Sequence, residues 1–196
     1  MGELQVTCDP AEVGLDRERL RRIDAHFARY VDEGRLPGWL VLVSRRGEIA
    51  HLSAYGARDL GTGAPVEPDT LFRIFSMSKP ITSVALMTLY EEGALTLTDP
   101  VAEYIPSFAG VRVYEHGPAS APVTRPPREP VRIWHLLTHT AGLTYPFLET
   151  GVLGELYREA GLAGLALPGP DLAAFADRLA GVPLAFDPGT AWNYSF

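Results

Sequence analysis

The chain has 196 residues, 46% of them hydrophobic and 21% charged, with a formal net charge of −7. That composition suits one sizeable core, or one domain and part of another, and excludes a wholly disordered chain. The acidic balance argues against a nucleic-acid partner, and Cys8, the single cysteine, excludes an internal disulfide and a cysteine-built zinc site. The start, Met1 to Asp9, has neither the basic segment nor the apolar stretch of an export signal, and no later run is long enough to span a bilayer. A cytoplasmic chain with no membrane partner is therefore expected.

Asp16 is placed to cap a helix running to about Asp32, with Leu20, Ile23, Phe27 and Val31 on one face and Gly34 closing it. Its arginines, Arg17, Arg19, Arg21 and Arg22, alternate with acids and read as a solvated face. Two strand-like runs follow, Trp39 to Ser44 and Ile49 to Tyr55, joined by a tight turn at Arg46-Gly47. The first is apolar from Trp39 to Val43, which predicts cover on both faces. Gly56 to Thr70 reads as a loop in which Gly61-Thr62-Gly63 is a turn. A helix then opens near Ser76, with Pro80 in its first turn, Ile81, Val84, Ala85, Leu89 and Tyr90 as the apolar positions, and Gly93 as its end. Glu115 to Pro130, with five prolines, predicts an extended excursion over the surface. A short helix is expected over Ile133 to Thr138. Pro168-Gly169-Pro170 leads into a last helix capped by Asp171, with Leu172, Phe175, Ala176 and Leu179 as its buried stripe.

Lys79 is the only lysine, against 16 arginines, and stands three residues after Ser76 at the start of a helix. Arginine stays protonated where lysine can be neutralised, so proton transfer is a task the arginines cannot take over. A serine at a helix start gains stabilisation for its alkoxide from unpaired N–H groups. Burial against Ile81 and Val84 would disfavour a charged Lys79. The pair alone also fits a plainer arrangement, with Ser76 as an N-cap and Lys79 in solvent. His135 and His139 lie four apart, but Leu136 occupies the place of a zinc protease's glutamate, so both are assigned structural roles at a turn. No metal or cofactor is expected, and the absence of Gly-x-Ser-x-Gly disfavours an α/β-hydrolase.

Three segments in order, Phe72-Arg73-Ile74-Phe75-Ser76-Met77-Ser78-Lys79-Pro80, His135-Leu136-Leu137-Thr138-His139-Thr140-Ala141-Gly142-Leu143 and Pro188-Gly189-Thr190-Ala191-Trp192-Asn193-Tyr194-Ser195, resemble signatures of the serine β-lactamase and penicillin-binding-protein superfamily. The resemblance is closest to class C β-lactamases and β-lactamase-like carboxylesterases. It implies an α+β fold of the β-lactamase/transpeptidase type, an antiparallel sheet flanked by helices plus a mainly helical region, here incomplete at the C-terminus. Residues 1–60 would carry the N-terminal helix and hairpin, and 61–196 the helical region with both motifs. By the same resemblance Ser76 is the nucleophile, Lys79 holds the proton network, and Tyr194 is the base, supported by Lys79 as a phenolate. The two would share protons as a pair.

Where β-lactamases carry Asn, two residues after the tyrosine, this chain has Phe196. A lactam amide loses a hydrogen-bonding partner there, which shifts the expected substrate toward a small ester. The resembled family continues with a Lys-Thr-Gly or His-x-Gly strand and a terminal helix that are not in this sequence, so weak activity is expected of these residues alone, because one oxyanion donor is missing. The expectation is a serine hydrolase acting on a small-molecule ester or amide through a Ser76 acyl-enzyme. Its alternative is a truncated or catalytically silent domain with a binding or regulatory role.

Overall fold

The computed structural model describes residues 4–163 and 171–196. Pro168-Gly169-Pro170 lies outside the described residues. Two compact units divide the chain, Met1–Phe75 and Ser76–Phe196. Among the described residues no helix is long and apolar enough to cross a membrane.

In the first unit, helix α1 spans Arg17–Asp32, and the Asp16 carboxylate accepts the Arg19 N–H at 2.9 Å, the N-cap its sequence predicts. Leu20 is buried, and Phe27 reaches Trp39 of strand β1 with ring centroids 6.2 Å apart, so the predicted apolar face is the one that packs on the sheet. The Asp24 carboxylate meets His51 Nε2 at 2.8 Å and adds a polar tie across that contact. Strand β1 (Gly38–Arg45) pairs antiparallel with β2 (Glu48–Asp59), and β2 pairs with β3 (Ala64–Pro65), giving the order β1-β2-β3. The turn places Arg46 and Gly47 at φ 57° and 84°, the two positive values a tight hairpin requires.

Two expectations change here. Strand β2 runs on to Asp59 instead of ending at Tyr55, because Gly56 bends the strand without ending it. At φ 85° Gly56 sits where a Cβ would stand 2.5 Å from the Pro37 carbonyl, so only glycine fits. The cover expected on both faces of β1 is not supplied by the described residues, in which Leu42 keeps 38% of its surface exposed. The strand lies at the sheet edge, and α1 supplies this unit with a covering layer on one side.

In the second unit, helix α2 (Ser78–Glu91) follows a single 3-10 turn, Phe75–Met77, and Gly93 ends it at φ 70° with the Ala94 N–H returning to the Leu89 carbonyl. Its expected apolar stripe is not the side that the described residues cover. Ile81 and Val84 are 62% and 66% exposed, whereas Lys79, Ser83, Leu86 and Met87 turn inward at three- and four-residue steps. The unit's core gathers Val101, Phe108, Val113, Val131, Tyr157 and Leu184. Strands β4 (Val113–His116) and β5 (Val123–Arg125) form a hairpin inside the proline-rich stretch. Arg125 then grips the buried Asp187 with two hydrogen bonds, 2.8 and 2.7 Å. Helices α3 (Ile133–Leu137) and α4 (Val152–Glu159) follow. Helix α5 (Leu172–Ala180) starts at Asp171, whose carboxylate accepts the Ala174 N–H at 2.8 Å. Leu179 is buried as expected, but Leu172 is 87% exposed, because the first helical position points out past the packed turn.

Candidate active site

Everything around Ser76 and Lys79 in the second unit is set by where α2 begins. Phe75 adopts φ 45°, a left-handed conformation that is unusual for a bulky side chain, immediately before Ser76. Ser76 is exposed in the 3-10 turn and is not the N-cap; Met77 holds that position and makes no side-chain capping bond. Lys79 is half-buried one turn on, and its Nζ donates to the Tyr145 hydroxyl at 2.9 Å. The same ammonium lies 4.7 Å from the centroid of the Tyr194 ring and 5.4 Å from that of Tyr145. Both separations suit a cation–π contact.

The two segments that meet α2 are held by backbone groups. Residues 141–146 form a buried loop, which must find partners for its polar atoms. The Thr144 N–H donates to the Tyr157 hydroxyl at 3.1 Å. Gly142 at φ 85° leaves no room for a Cβ, which would stand 2.5 Å from the Phe186 carbonyl, and its own carbonyl accepts the Ala185 N–H at 2.7 Å. The C-terminal segment docks along the same loop. Gly189 N–H donates to the Thr140 carbonyl at 2.8 Å, Asn193 N–H to the His139 carbonyl at 2.9 Å, and the Asn193 side-chain amide to the Leu143 carbonyl at 3.1 Å. Tyr194 is thereby brought against Lys79 and toward Ser76.

Electrostatics follow from this packing. Burial alone pulls Lys79 down, but its hydrogen bond to Tyr145 and the nearby Tyr194 phenol outweigh that and hold it above its ordinary value. The expected burial against Ile81 and Val84 does not act on Lys79 within the described residues, where both are exposed. The Tyr194 phenol is lowered from the ordinary range, first by the Ser76 hydroxyl donating toward it, then by the hydrogen bond and charge of Lys79. Sequence reasoning thus names the three groups that meet. It misses Tyr145, which lies just past the second signature segment in a loop whose spacing carries no sign that its phenol reaches Lys79. Phe196, read only as an apolar contact for substrate, turns into the unit and packs on Tyr145 at 4.2 Å, Phe175 at 5.2 Å and Tyr157 at 6.4 Å.

The histidines are both engaged by backbone. His135 is fully buried, and its Nδ1 accepts the Arg132 N–H at 3.0 Å. His139 Nδ1 accepts the Ser195 N–H at 3.3 Å, and its ring lies 4.7 Å from that of Tyr194.

The family model described as Beta-lactamase matches residues 23–196, a span containing all three signature segments. The chain belongs to the Beta-lactamase family. Among similar proteins, Esterase EstB of Burkholderia gladioli is 40% identical over 189 residues, covering 95% of this chain and 45% of that protein. Lovastatin esterase of Penicillium rubens is 28% identical over 176 residues, covering 88% of this chain and 43% of its own length. The solved structure of EstCE1, described as a hydrolase with promiscuous acyltransferase activity, superposes with a TM-score of 0.74 at 31% identity, covering 90% of this chain and 43% of that one. The fold is β-lactamase/transpeptidase-like, and the chain spans less than half the length of these relatives.

Proposed function

We propose that these residues carry the nucleophile and base of a serine hydrolase that cleaves small esters through an acyl-enzyme on Ser76. The observation that bears most weight is the Lys79 ammonium, tied to Tyr145 at 2.9 Å and lying over Tyr194 at 4.7 Å. A cation there favours the phenolate, and a phenolate beside a serine hydroxyl is a general base. In the first step the Ser76 oxygen bonds to the ester carbonyl carbon while its proton passes to Tyr194. Collapse breaks the bond to the leaving alkoxide, which takes that proton from Tyr194. In the second step Tyr194 deprotonates water as it attacks the acyl carbon; collapse breaks the bond to the Ser76 oxygen, which takes that proton back from Tyr194. The Ser76 N–H, at the start of α2, is one donor for the oxyanion. Lys79 shuttles no proton in this scheme; its positive charge favours the ionised form of the base.

The preference for an ester rests on exposed apolar side chains near Ser76 and Tyr194, Met77, Phe147 and Trp192, and on position 196, where an inward-packed phenyl ring stands in place of an amide-binding Asn. The names of EstB and lovastatin esterase support the same class. The description of EstCE1 also names acyl transfer, which in this scheme needs only an alcohol in place of water at the second step.

Incubation with a fluorophosphonate ester, followed by mass spectrometry, tests the reading without requiring full turnover. The expected result is one adduct on Ser76, lost in Ser76→Ala and strongly slowed in Tyr194→Phe. An unlabelled Ser76 in the folded chain rejects the hydrolase and supports a silent binding domain.

A further inference from the structure

His139 grips the C-terminal segment on both sides of Tyr194. Its carbonyl accepts the Asn193 N–H at 2.9 Å and its Nδ1 accepts the Ser195 N–H at 3.3 Å. The residue is held at φ 57°, and its ring packs 4.7 Å from the Tyr194 ring and 6.2 Å from Trp192. An imidazole that accepts at Nδ1 carries its proton on Nε2 and is neutral. Facing it are the Lys79 ammonium from α2 and, from the C-terminal segment, the Tyr194 phenol and the Ser195 hydroxyl, 3.4 Å from Nδ1. Burial, then the charge of Lys79, holds His139 below the ordinary imidazole value, so the accepting form is the one present near neutrality.

We propose that His139 is a positioning residue for Tyr194: its neutral imidazole anchors the peptide N–H that follows the phenol, and its protonation releases that anchor. The proposal rests on Tyr194 being the base of the hydrolase described above. Protonated, Nδ1 becomes a donor opposed to the Ser195 N–H, and a second cation appears near Lys79. Two groups must then both be in the right state, His139 neutral and Tyr194 ionised. The logarithm of the Ser76 labelling rate should rise with pH at a slope of about two below the His139 pKa and about one above it.

His139→Asn keeps an acceptor oxygen near the Nδ1 position and tolerates the left-handed backbone, but does not titrate. It should label at a rate within a few-fold of the parent chain, with a slope of about one throughout. His139→Ala loses the anchor and should label about 100-fold more slowly, the scale of a misplaced catalytic group. A second measurement does not depend on Ser76 reactivity. The tyrosinate absorbance of each chain, less that of its Tyr194→Phe counterpart, isolates the ionisation of Tyr194. That ionisation should stay low in His139→Asn and return toward the ordinary phenol range in His139→Ala. An unmoved Tyr194 titration in His139→Ala overturns the proposal, as does a steep acid limb that persists in His139→Asn. If His139→Ala does not fold, the slope in His139→Asn decides. A parent chain with a low Tyr194 titration that depends on His139 but no adduct on Ser76 refutes the hydrolase and upholds the positioning role.

Discussion

At the scale of single residues, the site is a contest between burial and charge around Lys79. Burial favours a neutral amine, yet two phenols supply enough hydrogen bonding to keep the ammonium, and its charge is then passed on as a lowered Tyr194. Tyr145→Phe removes only the oxygen that accepts from Lys79 and leaves the ring against Phe147 and Phe196. We expect stability to fall by about 1 kcal/mol in a urea titration and Ser76 labelling to slow by about tenfold, since the ammonium loses its fixed partner. Lys79→Met removes the charge itself. The Tyr194 pKa should then rise, moving the pH–rate profile for Ser76 labelling to the alkaline side; a profile unmoved by this change would mean that Lys79 does not tune the base. Both Lys79 and Tyr194 are legible in the sequence because their segments are recognisable. Tyr145 is not, because its role depends on a loop returning across 66 positions of chain.

At the scale of elements, helices whose ends are fixed by their own side chains follow the sequence closely. Asp16 and Asp171 cap α1 and α5 where expected, and each bond is local, three residues long. Asp171→Ala should destabilise the second unit by about 1 kcal/mol, read by thermal unfolding, with little change in Ser76 labelling at low temperature. Helix α2 follows a different rule. Apolar residues lie around much of its circumference, so periodicity finds a helix without finding its inner side. The structure turns Lys79, Ser83 and Leu86 inward and leaves Ile81 and Val84 exposed. Strand β1 is a related case: its unbroken apolar run implies two covering layers, of which the described residues of its unit supply one, α1.

At the scale of the whole molecule, the second unit is tied together by contacts that join distant stretches. The Asp187 carboxylate accepts from Arg125 and from the Arg128 N–H at 3.0 Å, pinning the proline-rich segment to the start of the segment that carries Tyr194. The Arg125 bonds and then the Arg128 N–H lower Asp187 to about 2 from an ordinary 3.8. A carboxylate lowered on folding stabilises the fold fully above its unfolded value, and that stabilisation fades as pH falls from about 3.8 through about 2. The melting temperature of the parent chain should therefore drop more steeply over that acid range than that of Asp187→Asn, which has no proton to take up. Equal acid slopes for the two chains would remove Asp187 from the account.

The sequence by itself determined the capped helices, the hairpin and the family, and it named Ser76, Lys79 and Tyr194 as candidates, because these depend on local hydrogen bonds or on contiguous motifs. The tertiary structure alone decided which side of α2 the described residues cover, the tie from Lys79 to Tyr145, the hold of His139 on both neighbours of Tyr194, and the direction in which Lys79 is shifted. Each of these depends on what another part of the chain places within a few ångströms. The charge on a half-buried amine is set by its neighbours in space, and spacing along the chain does not specify them.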